Sequence, residues 1–213
     1  MDLESFNIWV SSISDITALF PVVLCLFVAP RRQPYLLLSW YFYLSGLIMI
    51  GTLITSELGI FNMPAYHLLA AVEVVMLYAF YARITYPRGP KGWMVGLLVL
   101  LFALNSIFIE PLDQFNSFAW TFGILFLLCL GLGYLYKLYD NLENIHLPTH
   151  PLFVINTGFL IYFAGSLFTY ILGSRILSEE AKGFFHNGWV IQSFSTIIKN
   201  TIAGYGLWLA RQQ

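Results

Sequence analysis

Seven apolar stretches separated by short polar breaks run the length of the chain, at residues 8–28, 35–55, 64–84, 92–109, 115–139, 151–171 and 187–209. A helix of about 20 apolar residues rises roughly 30 Å, the thickness of the hydrocarbon core of a bilayer. No water is available there, so each stretch must satisfy its own backbone N–H and C=O groups, which an α-helix does without partners. Composition agrees, with 59% hydrophobic and 10% charged residues against about 25% charged in an ordinary soluble domain. The expectation is an all-α membrane protein: one seven-transmembrane-helix bundle over residues 1–213, its consecutive helices packed as antiparallel neighbours. The segments and their connections use nearly all 213 residues. Any output is therefore expected to pass to a separate partner. Membrane lipid is an expected neighbour, and no nucleic-acid partner is expected.

Pro34, Pro64 and Pro151 stand at or just before segment starts, where a missing N–H costs nothing. Asp2 and Glu4 precede the first apolar run in place of a basic leader, so that run is expected to be retained as a helix. Arg31, Arg32, Arg83, Arg88, Lys91, Lys137 and Arg211 flank one side of the segments, and Arg175 and Lys182 flank the other. Basic residues favour the cytoplasmic side, which predicts an outer N-terminus and a cytoplasmic C-terminus. Acidic residues agree: Asp2, Glu4, Glu57, Glu110, Asp113, Glu179 and Glu180 fall on the outer side, Asp140 and Glu143 on the inner. Cys25 and Cys129 lie inside apolar segments and read as small buried hydrophobes. Trp9, Trp93, Trp189 and Trp208 lie near segment ends, as in an interfacial aromatic belt.

Against this background Asp15, Glu73 and Lys199 stand out, because they fall at comparable depth in the first, third and seventh segments. An ionisable side chain at the bilayer centre costs roughly 2.5 kcal/mol or more, so three at one level predict a shared internal cluster. Lys199 is expected to be ionised, with one carboxylate as its counterion and the other protonated or hydrogen-bonded. Ser11 and Asp15 share a face of the first segment. Gln192, Ser195, Thr196 and Lys199 form a polar stripe on the seventh, with Asn200 beside it. Such stripes of small and hydroxyl residues pack helices closely and should face the bundle interior. Asn105, Asn156 and Tyr162 are further intramembrane polar groups, expected mainly as interhelical hydrogen bonds. Pro21 leaves the carbonyl of Thr17 without its usual partner and predicts a bend next to Asp15.

Other titratable groups carry less. His67, near one end of the third segment, is expected to satisfy a local hydrogen bond, with a lesser prospect of sensing pH. His146 and His150 have i, i+4 spacing beside Asp140 and Glu143, but Pro148 intervenes, and a solvated loop without a metal is the expectation. An enzyme is not expected, since the apolar segments hold neither a histidine group nor serine arranged with histidine.

The runs PLFVINTGFLIYFAGSLFTYIL (residues 151–172) and WVIQSFSTIIKNTIAGYGLW (residues 189–208) resemble those of uncharacterised bacterial seven-helix membrane proteins. That resemblance implies a stand-alone signalling component of the bacterial inner (cytoplasmic) membrane, working beside a cytoplasmic partner such as a histidine kinase. A lysine in the last segment with an acid in the third also resembles the layout of microbial rhodopsins, which would make Lys199 a retinal attachment site with Glu73 as counterion. That family places an aspartate four residues before its lysine, where Ser195 stands here, and its tryptophan–tyrosine–proline pattern is absent from residues 153–171. The leading expectation is therefore a sensor or receptor-like component built on the buried cluster. A proton-coupled transporter or channel comes next, and a retinal-binding photoreceptor after that.

Overall fold

A computed structural model describes residues 3–27, 32–140, 146–172 and 188–212, and among them all regular structure is helical. The elements are α1 (Leu3–Thr17), α2 (Leu19–Phe27), α3 (Tyr35–Glu57), α4 (Met63–Thr85), α5 (Gly92–Leu104), α6 (Ser117–Tyr139), α7 (Pro151–Ile171) and α8 (Gly188–Arg211). A π-helical turn, Asn105–Ile109, prolongs α5, and a short 3₁₀ turn, Leu147–Thr149, precedes α7. Six stretches are long and apolar enough to cross a membrane: Trp9–Phe27, Tyr35–Glu57, Met63–Thr85, Gly92–Ile109, Ser117–Tyr139 and Pro151–Ile171. This is the make-up of an integral membrane protein. The last helix, α8, is as long as the others but falls outside that set, because its polar stripe lowers its hydropathy. Asp2, Arg31, Glu143, Arg175, Glu179, Glu180, Lys182 and the segment bounds at residues 28 and 187 lie outside the described residues, as does the side chain of Glu4.

The helices close a ring. The pair α1 and α2 packs on α8, α8 on α7, α7 on α6, α6 on α4, α4 on α3, and α3 back on α2. Only α5 stands outside, against α4. The expected packing of consecutive helices is therefore thin between α5 and α6, where Phe102 of α5 reaches α6 at Gly123. The reason is chemical: Leu97, Leu100, Leu101, Leu104, Ile107 and Phe108 are exposed on the outlying helix, a surface that lipid solvates as well as protein does. The π turn redirects the chain, and Glu110 behind it accepts the backbone N–H of Phe118, opening α6. Asn105, 4% exposed, donates to the same carboxylate at 3.1 Å, and so anchors this corner.

The first apolar run is broken at Ala18, because Pro21 has no N–H to donate to Thr17, and the helix resumes at Leu19. The Ala18 N–H turns to the Asp15 carbonyl at 3.2 Å, which closes α1. Thr17 Oγ1 then fixes the break, donating to the Ser14 carbonyl at 2.7 Å and accepting from Asn200 Nδ2 of α8 at 3.2 Å. The bend expected beside Asp15 is thus a one-residue break, pinned to the last helix.

Aromatic side chains fill the middle of the ring. Tyr41, Phe80, Tyr81, Phe159 and Phe163 are all buried to 1% exposure or less, and the Phe159 ring lies 5.8 Å from those of both Tyr41 and Phe163. Tyr81 donates to Asn156 Oδ1 at 2.8 Å, while Asn156 Nδ2 donates to the Gly131 carbonyl, tying α4, α7 and α6 together. Cys25 is buried as expected, whereas Cys129 is exposed on α6. Its neighbours on that surface, Phe122, Leu125 and Leu132, are apolar and exposed too, so the thiol sits on a surface suited to lipid.

Candidate functional site

Close approach of α7 and α8 sets up the site. A Cβ on Gly158 would meet Ile202 and, at 3.3 Å, the Lys199 carbonyl, while one on Gly165 would collide with Ser195 Oγ. Glycine at both positions lets the two backbones come together. Lys199 is thereby turned inward, 7% exposed, to where α3, α4 and α7 meet.

Its ammonium donates to Tyr41 Oη at 3.2 Å, and Tyr41 Oη donates to Glu73 Oε2 at 3.2 Å. The ammonium also lies 4.1 Å from the centre of the Tyr162 ring, within cation–π range. Tyr41 and Glu73 are 1% and 3% exposed. Where the sequence predicts contact between ammonium and carboxylate, Tyr41 is interposed, and the two charges are joined through one hydroxyl. The second carboxylate oxygen, Glu73 Oε1, has no hydrogen-bond partner. The Tyr162 hydroxyl is also near this carboxylate and lies 3.4 Å from Tyr170 Oη, a contact in which either hydroxyl can donate.

A cavity of about 350 Å³ lies over this relay. It extends from Ser56 and Asn62, at the α3–α4 turn, down to Glu73, Lys199 and Asn200. Asp15, half-buried, lines it from α1. The three ionisable groups singled out from sequence therefore face one space, although only Glu73 and Lys199 are linked. One wall is aromatic: Trp120 stacks on Tyr170 with ring centres 4.6 Å apart, and Phe115 meets Trp189 edge-on at 5.6 Å. A second, apolar cleft of about 110 Å³, lined by Ile16, Leu19, Met49 and Ile50, shares Asp15, Ala18, Gly46, Met49 and Leu53 with the first.

Of the supporting residues, Ser11, Tyr162, Gln192, Thr196 and Asn200 line the cavity. Gln192 Nε2 donates to Tyr170 Oη at 3.3 Å, and Thr196 Oγ1 donates to the Gln192 carbonyl. Asn105, Asn156 and Ser195 do not line it. Ser195 donates to the Ile191 carbonyl of its own helix and packs at Gly165. Trp189, expected in the aromatic belt, belongs to the cavity wall. Trp9 and Trp93 are each 63% exposed, as a belt requires.

The histidines have local partners. His67 Nδ1 is 2.8 Å from Ser106 Oγ and its Nε2 is 3.0 Å from the Gln114 carbonyl. His146 Nδ1 lies 3.2 Å from Thr149 Oγ1, and His150 Nδ1 accepts from Phe153 N at the start of α7. Burial lowers the His150 pKa, which favours the neutral ring that this acceptor role needs. Among the described residues no group of three or more metal-ligating side chains is present.

Tyr41 is the residue that sequence reasoning missed. Nothing separates it by type from the rest of the chain's 13 tyrosines, and its role comes from position alone. Comparison with protein-family models, with curated proteins and with solved structures found no match.

Proposed function

We propose that this is a seven-helix receptor-like component of the bacterial inner membrane, with α8 as the seventh span, an outer N-terminus and a cytoplasmic C-terminus. A small molecule in the cavity would alter the Lys199–Tyr41–Glu73 relay, and a cytoplasmic partner such as a histidine kinase would read the resulting change in helix packing. The observation that carries this reading is a cavity reaching from one end of the bundle to a buried cation and acid. Arg32, Arg83, Arg88, Lys91, Lys137 and Arg211 support the orientation, because all lie at the ends of helices away from the cavity mouth.

The test uses spin labels at Tyr139 and Arg211, at the far ends of α6 and α8. The reading expects their separation to differ between the unaltered chain and a Glu73→Gln/Lys199→Met variant that keeps the fold. Identical distance distributions would count against it. The continuous relay also favours a second reading, a proton-coupled carrier or channel. Proton flux in proteoliposomes, lost on Glu73→Gln, would support that reading in place of the first.

A further inference from the structure

The acids and bases around the cavity are unequal in number. Among the described residues that line it, Asp15 and Glu73 face a single ammonium, Lys199, so with all three ionised the site holds one excess negative charge. The unpartnered atom is an acceptor: Glu73 Oε1, on a carboxylate 3% exposed, is buried without a hydrogen bond of good geometry, the Tyr162 hydroxyl being the nearby group that could turn to it. A buried charged acceptor without a donor is unfavourable, and a ligand that brings a donor removes the penalty. The Trp120, Tyr170, Phe115 and Trp189 wall suits either a cation or an apolar ring.

Resting on the receptor reading, we infer that the cavity binds an organic ammonium ion with an apolar body. Its N–H displaces the side chains that cover Glu73 Oε1 and donates to it, its charge offsets the excess carboxylate, and its body lies on the aromatic wall. The apolar cleft between α1, α2 and α3 meets the cavity at Asp15 and Gly46, which gives such an amphiphile a side entrance from the bilayer. An anionic ligand would leave Glu73 Oε1 unpartnered and add to the excess charge.

The test compares three probes of one shape, 4-phenylbutylamine, 4-phenylbutyric acid and 4-phenylbutanol, titrated calorimetrically into the full chain in nanodiscs, with empty nanodiscs subtracted. The amine is expected to bind at least about tenfold more tightly than the acid or the alcohol, as an added hydrogen bond to a charged group implies. Glu73→Gln should lose about tenfold or more of the amine's affinity. Lys199→Met, which removes the resident cation, should retain or raise it, and keeps the inference testable if the Glu73 variant fails to fold. Equal or tighter binding of the acid overturns the inference while leaving the cavity as a receptor site. Binding of none of the probes, or loss of amine binding in Lys199→Met, overturns it as well. The spin-label distances judge the receptor reading separately.

Discussion

Removing one oxygen atom, by Tyr41→Phe, should cost more than almost any other conservative change in this protein. The hydroxyl makes two hydrogen bonds to charged groups, one from Lys199 and one to Glu73, each 3.2 Å long. Bonds to charged groups contribute about 1.5–3 kcal/mol, and these are longer than the roughly 2.7–2.9 Å of strong charge-assisted pairs. The low end applies to each, giving about 3 kcal/mol together, or roughly a 150-fold shift in the folding equilibrium. Tyr134→Phe is the control. That residue is 4% exposed and its hydroxyl has no hydrogen-bond partner, so its loss should be neutral or slightly stabilising. Unfolding by steric trapping in bicelles measures both. A Tyr41→Phe cost below about 1 kcal/mol, or one equal to that of Tyr134→Phe, would refute the relay as a source of stability.

Gly165→Ala should destabilise by about 1–3 kcal/mol through overpacking against Ser195, measured by the same unfolding assay; a neutral result in the Ser195→Ala background as well as in the unaltered chain would mean that rotation of the hydroxyl relieves the clash or that α7 and α8 are not so close. For His150 the folded pKa is lowered by burial, so its contribution is complete above the unfolded value of about 6.5 and declines as pH falls below it. The protection factor of the Phe153 amide, with the intrinsic base-catalysed exchange rate divided out, should fall as pH falls over that range, and His150→Asn, which keeps a side-chain acceptor, should remove this loss.

The spans were legible because lipid leaves a backbone little choice but helix, and runs of about 20 apolar residues show it directly. Lys199, Glu73 and Asp15 were legible for the same reason, as charges where charges are costly. Tyr41 was not, since a tyrosine suits a core, an interface or a relay equally well. Ser195 was placed with the site because it shares a stripe with Lys199, yet its hydroxyl turns back to its own helix. The outlying position of α5 was hidden because an apolar surface reads alike whether helix or lipid covers it.

The interruption at Ala18 leaves a backbone acceptor open inside the bundle. Pro21 withholds the N–H that would reach the Thr17 carbonyl, two residues past Asp15 and on the residue whose hydroxyl accepts from Asn200. Pro21→Ala would return that donor and let α1 and α2 run on as one stiff rod, without the joint that now sits beside the cavity.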